Sequence, residues 1–526
     1  MREHAGRTLL ALAGAICAIG AASAGPATAA SAPSGTSWTV YHGSAAGTGV
    51  AAPVTRVSTA ARKWTSPTLD GQLYGEPLVW GGRVYVATQN DTVYGLSAAT
   101  GAKVWQAHVG TPVPASALPC GDIAPTVGIT GTPVIDPARG EIFAVADEMV
   151  NGKPAHILVG LNAATGQREM TQDVDPPGVD TAALLQRTGL NLTAGQVVLA
   201  MGGNFGDCAA YRGRVIAVPE AGGKPRIFTI DAAAGQSQGA VWMGGAAPAV
   251  DSAGHVWVSV GNGSVHSSSE RYDYSDSLLE LSPTMRLLQY FAPRSWASDN
   301  AQDLDMSTGP ALLPSGQVLL AGKSRIAYLL NGAHLGGVGG AQASLGSVCD
   351  SDIDGGAAVV GMTVYLPCVG AIAAVRATSS PPGLRLAWRM GTGGGPPIAA
   401  AGLIWTIGQN GTLSGLSPAT GRVQQQAAIG AVANHFPTPA LAGGLLLAAA
   451  ATDVVAFPAS GSSAVTPTPP PSASTTGATV PPASQPQPPS SGGVPAAAIA
   501  GIVAGGLVLL GGAGWLLWRR RFSGHN

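Results

Sequence analysis

The sequence predicts an all-β, eight-bladed propeller followed by a single C-terminal transmembrane helix. Three observations carry this: a strand–turn–strand unit that recurs along the chain, a glycine-rich and charge-poor composition, and one long uncharged apolar run near the end. The 526 residues include 75 glycines, and only 10% are charged. The formal net charge is −1, so no basic surface exists to attract nucleic acid.

The repeat is clearest in two copies. From Gly82 the chain reads GRVYVATQNDTVYGLSAATGAKVWQAHVG, and from Gly402 it reads GLIWTIGQNGTLSGLSPATGRVQQQAAIG. Each copy opens on an alternating apolar strand, turns at Asn90-Asp91 or Asn410-Gly411, and continues in a second strand that ends near a leucine. A tight S-x-A-T-G turn and a further strand follow. Alternation bounded by Gly and Asn turns is a hairpin signal. Weaker copies start near Gly140, Gly195, Gly254, Gly316, Met362 and Gly444, which makes eight. A seven-bladed ring, with one weak copy misread, is the alternative. The eighth copy lacks its outer strand, and Arg62-Lys63-Trp64-Thr65 near the N-terminus has the right character to supply it. A ring closed in that way has no exposed sheet edge.

The copies lie about 41 residues apart late in the chain and about 55–62 apart early on. The surplus in the first four copies is expected to build up one face of the disc, where a protein or small-molecule partner would bind. Trp64 and Trp105 are expected to wedge between blades.

The ends set the compartment. Arg2 and Arg7 precede the apolar run Leu9–Ala22 and small residues at Ala22-Ser23-Ala24 and Ala27-Thr28-Ala29, a secretory signal over residues 1–30. Cys17 follows Ile16, so it lacks the small residue that a lipoprotein site requires. The propeller is expected over 31–458. Residues 459–495 are Pro, Ser, Thr, Ala and Gln with almost no large apolar side chain, an extended stalk. Residues 496–518 carry no charge and are long enough to cross a bilayer. Arg519, Arg520 and Arg521 then place the tail 519–526 in the cytoplasm and the propeller outside it.

Four cysteines remain in the exported body: Cys120, Cys208, Cys349 and Cys368. An even number in an exported chain implies two disulfides, with three connectivities. Cys349–Cys368 is favoured because it closes a short loop, and Cys120–Cys208 follows by elimination. Asp350, Asp352, Asp354 and Gly355 begin like a calcium loop. Gly361 stands where the bidentate glutamate is needed, so a solvated turn is expected instead. His255, His266, His334 and His435 show no metal-ligand spacing.

The A-x-T-G-x-x-x-W pattern at Ala99-Thr100-Gly101 with Trp105, echoed at Ala164-Thr165-Gly166 and Ala419-Thr420-Gly421, resembles the pyrroloquinoline quinone (PQQ) repeat. That repeat builds the quinoprotein alcohol dehydrogenase-like propellers and also non-catalytic ones that scaffold outer-membrane assembly. The resemblance spans Trp38 to Pro458. It implies a catalytic base at Asp305, quinone contacts at Trp242 and Lys323, and calcium ligands at Asn262 and, one residue displaced, Asp207. Three family features are missing. No adjacent Cys-Cys pair occurs, Leu304 replaces the Trp before the catalytic Asp, and no C-x-x-C-H haem site is present. The resemblance therefore implies first a binding or scaffold propeller, and as the alternative a PQQ- and calcium-dependent alcohol dehydrogenase.

Overall fold

The computed structural model describes residues 37–434 and 436–461. The predicted signal, most of the stalk and the predicted span 496–518 lie outside the described residues. No helix among the described residues is long and apolar enough to cross a membrane.

Eight antiparallel sheets follow one another along the chain. Blade 1 is Leu78–Trp80, Arg83–Ala87, Thr92–Ser97 and Lys103–His108. The second strands of blades 2 to 8 begin at Glu141, Gln196, Val256, Gln317, Thr363, Leu403 and Leu445, each just after a predicted repeat start. Blade 8 has three strands of its own, Ala440–Ala442, Leu445–Ala450 and Asp453–Ser460. Its outer position is filled by Trp64–Thr65, which pairs with Ala456 and Val455, and by Arg56–Val57, which pairs with Ser460 and Ala459. The ring closes as the repeat requires, with eight blades rather than seven.

The tryptophans of the repeat hold neighbouring blades together. Trp105 of blade 1 lies over Gly166 of blade 2, and a Cβ on that glycine would sit 2.6 Å from the ring. Trp64 covers Gly101 and Trp388 covers Gly421 in the same way, each at 2.5 Å. Each indole Nε1 also donates to a carbonyl beside its glycine: Ala98 at 3.0 Å, Ala163 at 3.1 Å and Pro418 at 2.9 Å. The three glycines have φ between +70° and +74°. The A-T-G turn thus needs glycine twice, once for its left-handed backbone and once to admit the indole face.

A feature absent from the sequence reading occupies the centre. Residues 38–51 run inside the ring along the innermost strands, with Trp38 on Val79, Thr39 on Ile135, Ala45 on Val250, Thr48 on Val359 and Val50 on Ala399. Tyr41 and His42, both buried, stack at 4.3 Å in this segment. Glu76 accepts from the His42 amide at 2.7 Å, and Tyr41 accepts from the Gly356 amide at 3.2 Å. Groups from opposite sides of the ring meet there, so the segment plugs the channel.

Both disulfides form as expected, Cys120–Cys208 and Cys349–Cys368. Asp350 turns out to Arg389 at 2.9 Å while Asp354 is buried, so the three carboxylates of that run diverge as a turn.

Blade 2 carries a buried charge cluster on its extended hairpin, where Asp147 lies across from His156. The His156 ring meets Asp175 at 2.9 Å and Asp147 at 3.7 Å. Burial pulls the imidazole pKa down, but the two carboxylates more than reverse this and hold it at about 9. His156 is therefore a cation at neutral pH. Its contribution is complete below the ordinary value of about 6.5 and is lost as pH rises through about 9. Burial holds Asp147 up at about 7, so near pH 6 His156→Gln leaves chiefly the Asp175 carboxylate uncompensated and is expected to cost about 3 kcal/mol. Urea unfolding at pH 6 and pH 9.5 checks this: the difference between wild type and variant should shrink at the higher pH. A difference that does not vary with pH rejects the charge clamp.

Candidate functional site

Antiparallel alternation fixes which loops share a face. In every blade the turn between strands two and three, and the connection to the next blade, emerge at one end. The turns between strands one and two, and three and four, emerge at the other. Asp207, Asn262 and Lys323 follow the second strands of blades 3, 4 and 5, whereas Trp242 and Asp305 precede the first strands of blades 4 and 5. All five predicted site residues therefore share one face.

They also touch. The Asn262 amide N–H donates to Asp305 Oδ1 at 2.8 Å, and Asn262 Nδ2 donates to Asp207 Oδ2 at 2.7 Å. Tyr211 donates its hydroxyl to Asp207 Oδ1 at 2.5 Å. Lys323 Nζ stands 2.5 Å from Asp305 Oδ2 and 2.9 Å from Asp303 Oδ1, and 5.3 Å over the Trp242 ring. The Lys323 ammonium therefore already engages Asp305 Oδ2 as a close ion pair. Asp305 is only 1% exposed.

Glycines make this approach fit. A Cβ on Gly261 would lie 2.7 Å from Asp305 Cβ, and one on Gly322 would lie 2.0 Å from the Asp305 carbonyl oxygen. Asp207, Asn262 and Asp303 adopt φ of 46°, 49° and 59°. Left-handed backbone at three non-glycine residues in one cluster is the strain typical of functional sites.

Burial raises the Asp305 pKa, and the neighbouring Lys323 offsets only part of that. Burial also raises Asp207, against the hydrogen bond from Tyr211. For Lys323, burial opposes the charge, but Asp305 and Asp303 outweigh it and hold the ammonium above its ordinary range. A cavity of about 170 Å³ opens over the cluster, lined by Asp207, Asn262, Asp303, Asn300, Gln238 and His266 among others. A larger cavity, about 490 Å³, lies over Tyr211, Arg212 and Arg214 and contains none of the five. The smaller one is the candidate site, because Asp207 and Asn262, two of the five, line it together with Asp303.

Sequence reasoning missed four participants. Asp303 lies two residues before Asp305. Tyr211 orients Asp207. Phe436 stands 6.4 Å from Trp242, ring to ring. Arg187 is buried, donates to the Thr130 carbonyl at 3.0 Å, and lies near the rings of both Tyr74 and Phe436. Only Asp303, in a D-x-D run, left a readable signal.

Comparison with known proteins agrees with this architecture. A PQQ-type family model described as outer membrane protein assembly factor BamB matches residues 23–266. That match covers a little under half of the chain, and the described body has the propeller fold. Among solved structures, the quinohemoprotein alcohol dehydrogenase of Comamonas testosteroni superposes with a TM-score of 0.62 at 14% identity, covering 80% of each chain. Quinohemoprotein alcohol dehydrogenase ADHIIG of Pseudomonas putida HK5 gives 0.60 at 15% identity, covering 83% of this chain and 82% of its own. A europium-containing methanol dehydrogenase gives 0.58 at 14%, covering 78% and 89%. At such identities the likeness concerns the fold. No curated protein matches this chain in sequence.

Proposed function

We propose that this PQQ-repeat propeller is an extracytoplasmic oxidoreductase that oxidises alcohols with a bound quinone of the PQQ class and a divalent cation, anchored through residues 496–518. One observation carries the reading: Trp242, Asn262, Asp305, Lys323 and Asp207 come from separate loops of three blades and meet in one cluster.

The donor set suits the proposed groups. Asp207, Asn262 and Asp305 offer hard oxygen ligands of the kind calcium takes. The Trp242 face can serve as a platform for a planar ring once the Lys323 ammonium, now 5.3 Å over it, swings aside to meet a carbonyl or carboxylate oxygen. A bound quinone of this class supplies a two-electron acceptor, and a bound cation polarises its carbonyl. Asp305 Oδ2, buried and paired with the Lys323 ammonium, is the group proposed to take the hydroxyl proton of an alcohol. Its raised pKa makes it a better base once ionised. Lys323 stabilises that ionised form. The Cys120–Cys208 disulfide pins the loop that carries Asp207.

A second reading has one observation in its favour. Lys323 and Asp303 already engage the Asp305 region as ion pairs, an arrangement that is complete without chemistry. On that reading the loop-rich face binds a partner as a scaffold.

Titration of the full chain in detergent with PQQ and Ca²⁺, followed by tryptophan fluorescence in wild type and in Trp242→Phe, tests both. Saturable, cation-dependent quenching at micromolar quinone, with dye-linked oxidation of a primary alcohol, is the expected result. Absence of quinone binding sinks the proposal, and binding without turnover leaves the scaffold reading in place. Protease accessibility of the propeller on intact cells tests its placement outside the cytoplasm.

A further inference from the structure

We propose a second metal site in this protein: Asp251, His255 and Glu280 bind a divalent transition metal of the zinc type at the far end of blade 4. Asp251 follows the innermost strand Ala249–Val250, His255 precedes the next strand Val256–Val260, and Glu280 belongs to the third, Ser277–Leu281. Asn262 of the candidate site lies past the other end of Val256–Val260. The two sites are therefore separated by that strand's length, about 17 Å at ~3.3 Å per residue, and open on opposite faces of the disc.

One ligand atom from each residue lies within 4.8 Å of the other two. His255 Nδ1 is 2.6 Å from Glu280 Oε1 and 3.7 Å from Asp251 Oδ2. A metal at about 2.0–2.2 Å from each donor draws such atoms around itself with little movement. The carboxylates are already oriented by outer partners. Trp257 Nε1 donates to Asp251 Oδ2 at 3.0 Å, and Gln289 Nε2 donates to Glu280 Oε2 at 2.5 Å. The amides of Ala253 and His255 hold Asp251 Oδ1 at 2.8 and 2.9 Å. Such outer hydrogen bonds fix ligand geometry in metal centres.

Charge points the same way. Neither Asp251 nor Glu280 has a lysine or arginine ion pair among the described residues, so their only cationic neighbour is His255 when protonated. A metal ion replaces that proton and satisfies both carboxylates at once. One imidazole nitrogen with two carboxylate oxygens favours zinc over calcium or magnesium. The His255 and Asp251 side chains are 33% and 24% exposed while Glu280 is 8% exposed. The open coordination positions thus face solvent. The histidine looked isolated in the sequence because one partner is four residues away and the other lies across a strand.

Chelator-stripped full-length protein is titrated with Zn²⁺ against a chromogenic indicator. One saturable site is expected, weakened at least tenfold in both His255→Ala and Glu280→Gln and retained in Asp305→Asn. Wild-type protein alone supplies an independent readout: Zn²⁺ should protect His255 from diethyl pyrocarbonate, scored by mass spectrometry. The proposal is overturned if wild type takes up no zinc saturably, if both variants bind as wild type does, if Asp305→Asn abolishes uptake, or if His255 stays unprotected.

Discussion

Trp105→Ala is expected to lower the unfolding free energy by about 3–5 kcal/mol, the cost of removing a large buried aromatic and leaving its cavity. Two contacts are lost together: the indole face on Gly166 and the Nε1 hydrogen bond to the Ala163 carbonyl. The stripped carbonyl adds its own desolvation cost. Val104 next to it is 50% exposed, so Val104→Ala should change stability by less than about 0.5 kcal/mol. Urea unfolding of the two variants side by side separates blade docking from a general sensitivity of the strand. If Trp105→Ala unfolds at the same denaturant concentration as Val104→Ala, the indole does not hold the blades together.

Asp305→Asn is expected to reduce alcohol turnover by about 10²- to 10⁴-fold, the usual worth of a positioned general base. The amide still accepts from the Asn262 N–H, but it cannot take a proton and no longer compensates Lys323. Quinone binding on Trp242 should survive with a modest change. Asp303→Asn provides the contrast, because its side chain is 72% exposed and its pairing with Lys323 is largely screened. A turnover loss equal in the two variants would mean that the pair acts only by placing Lys323.

The fold was legible because its unit repeats. Eight hairpins, seven of them started by glycine, and a blade short of one strand dictate a ring and the place of its closure at Trp64–Thr65. The site was legible residue by residue through resemblance. Its convergence follows from the strand alternation that sends the loops bearing Asp207, Asn262 and Lys323 to one face. What stayed hidden has a common cause. Arg187, Tyr211 and Phe436 act through contacts across blades and carry no spacing. The plug at residues 38–51 has no periodicity because its hydrogen bonds go to strands of other blades rather than to a hairpin partner.

The plug and the closing strands also bear on how the molecule comes into being. Thr65 pairs with Val455, so these early residues find their partner only after nearly the whole body has been made. A chain made N-terminus first must keep Trp38–Ala51 and Trp64 unsatisfied while seven blades accumulate. Contacts of such long separation are slow to form and leave apolar edges exposed meanwhile. A nascent ring of this kind is therefore a natural client for holding factors. Truncation within its last blade should leave the start of the chain without a place to dock.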